Sequence, residues 1–244
     1  MRRRYFWILE SRKPIFRSEI LSYPLILKLL RSFKKPGMRI LDVGCGTGKL
    51  TKIFPSYCFD TYGIDKSKEA IDLAKLNNTR VHYNTGDAIN LSKEYNFFFD
   101  VVVSTFVTMY LSNSQLSKFF DEVFKILKKN GLFILADVHP FLPIVQPITN
   151  WEKWKSKNIN YFETQLVEQT IFLPMNNFGT KRKSFNVRWY HHSYSSYLNK
   201  LINSGFMLEK VYEPKPNKVI LKKYKDMWGE ETRTPVYLVL QLKK

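Results

Sequence analysis

The sequence predicts an α/β fold with a doubly wound, largely parallel sheet, and three observations carry that expectation. Short apolar runs alternate with stretches of helical period along most of the chain. A glycine-rich turn, "GCGTG" at 44–48, follows the first apolar run. Three acidic residues, Asp42, Asp65 and Asp87, stand at or just after the ends of three successive strand-like runs. With 244 residues, 44% of them hydrophobic, the chain is long and apolar enough to bury the core of one such domain.

The elements follow in order. Residues 19–33 place Ile20, Leu21, Leu25, Leu27, Leu29 and Leu30 at helical spacing, and Pro36-Gly37 punctuates the end. Residues 39–43 read as a short buried strand, and a helix is expected from Thr47. A strand at 59–64, a helix at 67–76 and strands at 80–83 and 100–104 come next. Over 114–129, Leu116, Phe119, Phe120, Val123, Phe124 and Leu127 share one helix face, with Ser114 as the expected cap and Asn130-Gly131 as the stop. "LFILADV" at 132–138 is another buried strand.

After Pro140 the texture changes, and 151–190 is rich in Trp, Asn, Lys and Phe without a long clear period. The rhythm returns with a helix at 193–204 closed by Gly205, a strand at 206–212 and a last strand at 236–242. This organisation reads as one domain over 1–244. It comprises an N-terminal flap and helix (1–36), a cofactor-binding half (37–140), a lid or substrate insertion (141–190) and a C-terminal part that completes the sheet (191–244). A long insertion without a strong pattern of its own points to a functional lid.

The formal net charge of +18 has two readings. It is the footprint of a nucleic-acid partner, or it is a compositional bias shared with abundant Asn, Ile, Phe and Tyr. The basic residues are scattered in pairs and triplets such as Lys34-Lys35, Lys128-Lys129 and Lys181-Arg182-Lys183, so bias is the favoured reading and nucleic acid the weaker one. Two cysteines, Cys45 and Cys58, are too few for a disulfide framework or a zinc cluster, and no metal site is expected. The apolar run at 5–9 is shorter than the roughly 7–15 residues of a signal peptide, and nothing approaches the roughly 18 of a membrane span. A cytoplasmic protein is expected.

The glycine loop separates its possible ligands. A phosphate-binding P-loop needs a glycine where Val43 stands and a hydroxyl where Leu50 stands. A dinucleotide fingerprint spaces its third glycine one position later, where Lys49 stands. Asp42, two residues before the first glycine, would repel a pyrophosphate but hold an ammonium, while loop amides take a carboxylate. That pairing describes the amino-acid end of S-adenosylmethionine. Asp65 lies 21 residues after Gly44, where a carboxylate can accept ribose hydroxyls, and Asp87 with the Ala88 amide is placed for an adenine ring.

"LDVGCGTGKLT", "YGIDKS", "GDAINL", "FDVVVSTFVTMYL" and "LKKNGLFILADVHP" run in the order and spacing of the class I S-adenosylmethionine-dependent methyltransferases, and residues 20–140 resemble that family closely. The resemblance implies a Rossmann-like seven-stranded sheet whose last strand is antiparallel. It implies that Gly44, Cys45, Gly46 and Gly48 lie against the methionine part, that Asp65 and the adjacent Lys66 border the ribose, and that Asp87 and Ala88 hold the adenine. Ser104, Thr105 and Phe106 would border the sulfonium.

"STFVTMY" lacks the Asn/Asp-Pro-Pro-Tyr/Phe motif of enzymes that methylate planar amino groups of bases or glutamine, and no Pro-Cys pair of the cytosine C5 type is present. "YHHSYSSYLNKLINSGFMLEKVYEPKP" resembles the small-molecule, type 11-like branch, although His192 stands where those relatives carry Arg. The acceptor is therefore expected to be a small organic molecule under 141–190. A tRNA or rRNA methyltransferase, supported by charge alone, and a non-catalytic S-adenosylmethionine-binding protein are the alternatives. If the acceptor needs a base, His191 and His139 are the candidates, each set against a purely structural role. Trp151, Trp154, Tyr161, Phe162, Trp189 and Tyr190 could wall an apolar pocket or form the insertion's own core.

Overall fold

A computed structural model describes residues 17–142, 152–154, 159–172, 184–224 and 234–244. The expected N-terminal flap at 1–16 and much of the insertion, including Trp151, lie outside these residues. One sheet contains seven strands: β1 (Arg39–Val43), β2 (Asp60–Asp65), β3 (His82–Thr85), β4 (Phe99–Thr105), β5 (Leu127–Val138), β9 (Met207–Tyr212) and β10 (Tyr237–Lys243). They lie in the order β3-β2-β1-β4-β5-β10-β9. β1 to β5 pair in parallel, and β10 runs antiparallel to both of its neighbours. This is the Rossmann-like, doubly wound sheet with its last strand reversed.

Alternation along the strands builds the two faces. Leu41, Val43 and Val102 face α4 (Asn113–Ile126), whose Leu116, Phe119, Phe120 and Val123 are fully buried, together with Tyr197 and Leu201 of α5 (Tyr194–Asn203). Ile40, Val101, Val103 and Ile134 face the opposite layer, where Ile26 and Leu30 of α1 (Arg17–Phe33) meet Phe54. α2 (Lys68–Asn77) starts at Ser67, whose side chain accepts the Ala70 amide, and buries Ala70, Ile71 and Ala74 against Val81 and Tyr83, and the one-turn α3 (Leu91–Glu94) follows β3.

Three expectations are corrected. The helix expected from Thr47 is a 3-10 helix over Thr51–Tyr57. Pro55 has no N–H to give to the Thr51 carbonyl, and Cys58, at φ 63, closes the turn by donating to the Pro55 carbonyl. α4 ends at Ile126 rather than 129 and is capped by Ser112, not Ser114, in a reciprocal box with Gln115. Its end is set from outside: Leu127 pairs with Phe99 of β4, the Lys128 ammonium binds Asp100 at 2.8 Å, and Asn130, at φ 61, donates to the Lys244 carbonyl.

The insertion, irregular by sequence, contains a three-stranded antiparallel sheet of β6 (Glu152–Trp154), β7 (Gln165–Phe172) and β8 (Ser184–His191). Its inward signal is thin. Val167 and Trp189 pair directly and are buried, while Leu166 beside them is exposed. No helix among the described residues is long and apolar enough to cross a membrane.

Candidate active site

The loop after β1 turns three times through left-handed backbone, with φ of 73 at Gly44, 53 at Gly46 and 76 at Gly48. Space matters as much as angle: a Cβ on Gly44 would strike Val107 Cγ2, and one on Gly48 would strike the Tyr83 hydroxyl. The Gly44 and Cys45 amides both donate to the Ile64 carbonyl, at 2.7 and 3.1 Å, which ties the loop to β2. The Cys45 thiol is buried beneath it.

Asp65 closes the same corner from β2. One carboxylate oxygen accepts the Gly46 N–H and the other the Ser67 N–H, each at 2.9 Å. Burial raises its pKa, against the pull of these amides. The Lys66 amide also bonds this carboxylate, which leaves one lone pair of the four, so the brace for the loop remains able to accept a hydroxyl.

Asp42 is 1% exposed. Its Oδ2 accepts the Thr51 hydroxyl at 2.6 Å, and its Oδ1 is buried without a partner among the described residues, as is the hydroxyl of Thr47. Burial, opposed by the Thr51 hydrogen bond and reinforced by Asp65, pushes its pKa up to about 7. The Gly44, Cys45, Gly46 and Gly48 amides are engaged within this corner, so the open groups are the uncompensated Asp42 oxygen, which fits an ammonium, and the Thr47 hydroxyl, which can donate to a carboxylate. The donor set therefore fits the methionine end of S-adenosylmethionine.

Asp87, after β3, accepts the Lys66 ammonium at 2.8 Å and the Ile89 amide at 3.3 Å. Burial raises its pKa, but the Lys66 hydrogen bond and the Ile89 amide outweigh it and hold the carboxyl below its usual range. Ala88, half-buried, opens the 3-10 turn Ala88–Asn90 that Asp87 caps. Lys66 thus spans the mouth between the ends of β2 and β3.

At the end of β4, Ser104 is buried and donates to the Val43 carbonyl at 3.2 Å, which pins β4 to β1. Thr105 is half-buried. Phe106 adopts φ 59, donates its N–H to the Ala136 carbonyl at 2.9 Å and sets its ring edge-on to Tyr237. The left-handed turn sends Val107 back against Gly44.

Beyond it opens a narrow cleft, whose walls include Thr108, Met109, Asp137, Trp189 and both predicted histidines. His139 is 1% exposed: its Nδ1 accepts the Phe141 amide, and its Nε2 lies 3.0 Å from Glu213. His191, equally buried, bonds the Tyr161 carbonyl through Nε2 at 3.0 Å. A carbonyl only accepts, so Nε2 carries the proton, and Nδ1 is the unprotonated nitrogen of the neutral ring. Burial lowers the pKa of both. His192 bonds the Leu111 carbonyl and approaches the Thr164 hydroxyl, and burial lowers its pKa to about 4. Of the insertion's aromatics, Tyr161 stacks on Phe141 at 4.8 Å and Trp189 and Tyr190 line the cleft, whereas Phe162 points to solvent. Trp154 is described only as part of β6.

Sequence reasoning missed Asp137, Thr108 and Tyr197, which join beneath this cleft. The one visible signal was a carboxylate inside the apolar run "LFILADV".

Residues 41–135 match the family model of a methyltransferase domain. The chain is 26% identical over 218 residues to an uncharacterised protein of Haemophilus influenzae, covering 82% of this chain and 79% of the relative. It is 32% identical over 142 residues to the demethylmenaquinone methyltransferase of Leptospira interrogans, covering 50% of this chain and 56% of that one. The chain thus spans little over half the length of this second relative. An S-adenosylmethionine-dependent methyltransferase from Mesorhizobium loti has the same fold, with a TM-score of 0.63 at 19% identity over 89% of this chain and 96% of that one.

Proposed function

From a chain that carries a class I S-adenosylmethionine-dependent methyltransferase domain, we propose methyl transfer to a small organic acceptor held in the cleft below the β6-β7-β8 sheet, yielding S-adenosylhomocysteine. The observation that carries this reading is the cleft itself. It opens at the carboxyl ends of β4 and β5, past the Val107 that rests on Gly44, and has no Lys or Arg among its described lining residues although the chain bears +18. A phosphate backbone would need those cations. The Leptospira relative's name, a methyltransferase of demethylmenaquinone, points to small molecules as well.

The roles divide by position. Asp42 would take the ammonium of the cofactor and the Thr47 hydroxyl its carboxylate, against the Gly44–Gly48 turn, Asp65 would take the ribose, and Asp87 with Ala88 the adenine, with Lys66 shifting off Asp87. Ser104, Thr105 and Phe106 would line the path to the cleft. The bound sulfonium supplies a methyl group that is already strongly electrophilic, so the protein's task is to orient the acceptor and exclude water. His191 is our first choice of base: neutral, with Nε2–H anchored on the Tyr161 carbonyl, it can receive an acceptor proton at Nδ1. His139 is the second and would have to release the Phe141 amide or Glu213 to serve.

Incubation with methyl-tritiated S-adenosylmethionine and separated small-molecule and RNA pools tests the reading. Label is expected in the small-molecule pool. Label confined to RNA would give the net charge the functional meaning denied to it here, and binding without transfer to any pool would mark a non-catalytic cofactor-binding protein.

A further inference from the structure

One buried charged group at the cleft has no part in the roles above. Asp137, the penultimate residue of β5, is 4% exposed. Its Oδ2 accepts the Thr108 hydroxyl, its Oδ1 accepts the Val138 amide at 2.7 Å, and the amides of Thr108 and Met109 also point to it. Thr108 gives its only hydroxyl proton to the carboxylate, so the Tyr197 hydroxyl, 2.8 Å away, must donate to Thr108. The chain therefore runs Tyr197 O–H to Thr108 O–H to Asp137, from α5 through the loop to β5.

This leaves Asp137 with few lone pairs for a ligand and gives it another use. The 3-10 turn Thr108–Tyr110 follows the left-handed Phe106 and the Val107 that rests on Gly44. The carboxylate caps that turn from a different strand, Tyr197 braces it from the helix layer, and His192 holds its far end through the Leu111 carbonyl. We infer that Asp137, Thr108 and Tyr197 are positioning residues that fix the Phe106–Val107 segment against the glycine loop, so that the methionine end of the cofactor meets a preformed wall. The inference rests on the cofactor placement proposed above.

The test is isothermal titration of S-adenosylhomocysteine into purified wild type, Thr108→Val, Thr108→Ser and Tyr197→Phe, with a thermal melt of each. Thr108→Val keeps the side-chain shape and deletes the hydroxyl. It is expected to lose about tenfold in affinity, since it strands a buried carboxylate oxygen and a tyrosine hydroxyl. Thr108→Ser keeps the chain and should bind within about twofold of wild type. Tyr197→Phe removes only the distal hydroxyl, should also bind more weakly than wild type, and decides the matter if Thr108→Val does not fold. Wild-type affinity in both hydroxyl-deleting variants overturns the inference, as does a Thr108→Ser variant as weak as Thr108→Val. A wild type that fails to bind at all overturns instead the cofactor placement on which the inference stands.

Discussion

Asp42, proposed to hold the cofactor's ammonium, would serve binding at the expense of stability. Burial pushes its pKa up to about 7 in the folded protein, against 3.8 for an ordinary aspartate, so the folded state holds the proton more tightly than the unfolded one. The wild type is therefore most stable at or below pH 4 as far as this group is concerned, and loses that contribution as pH rises from about 4 to about 7. Asp42→Asn removes the penalty. At pH 8 it should be more stable than wild type by about 2 kcal/mol, or roughly 5 °C in Tm, while cofactor affinity falls by about tenfold. Melts at pH 4 and pH 8 check the first half, since the gain should be absent at the lower pH, and titration checks the second. His191 has the opposite sign: burial lowers its pKa from 6.5, so the neutral base persists to lower pH. The acid limb of a pH–rate profile should accordingly lie below 6.5 and vanish in His191→Ala. At this scale the carboxylates proposed for the cofactor were legible because each lies at or just beyond the end of a strand-like run. The Asp137 chain was not, because its members lie 29 and 89 residues from Thr108 and meet only through the fold.

Among the elements, the glycine loop is defined by what packs against it. Gly44→Ala meets two costs, a left-handed φ of 73 and a collision with Val107, and together they should cost about 3 kcal/mol. In a Val107→Ala background the collision disappears, and the cost of the same substitution should fall to about 1–2 kcal/mol. Equal costs in both backgrounds, measured by chemical denaturation, would contradict the packing account. The sequence disclosed those elements whose own residues decide them. α2 has its Ser67 cap and apolar face, and the central strands β1, β4 and the second half of β5 are buried on both sides and read as largely apolar runs. It misjudged elements decided from elsewhere: the end of α4, set by strand pairing at Leu127, and the 3-10 helix, set by Pro55 within an otherwise helix-like stretch. The β7–β8 pair escaped notice because it buries few residues and its alternation is diluted by exposed Leu166 and polar neighbours.

For the whole molecule, the seven-stranded sheet puts every proposed cofactor contact on one edge. The loop after β1, Asp65 after β2, Asp87 after β3 and the Phe106 turn after β4 all sit at carboxyl ends, where the parallel strands open a crevice. The cleft proposed for the acceptor lies next along that edge, between β4, β5 and the smaller sheet. Charge is the one global property whose meaning the sequence left open, because scattered lysines look the same whether they bind phosphate or only solvate the surface. At the proposed acceptor cleft the described walls hold histidines, aromatics and Asp137 but no Lys or Arg, which supports the small-molecule reading. The central claim is that this edge binds S-adenosylmethionine with Asp65 on the ribose. Isothermal titration of the wild type and Asp65→Ala with S-adenosylhomocysteine tests it most directly. One site per chain and a loss of at least about tenfold in the variant are expected, since the ribose contact and the brace on the Gly46 amide go together. Equal affinity in the two proteins would contradict the placement.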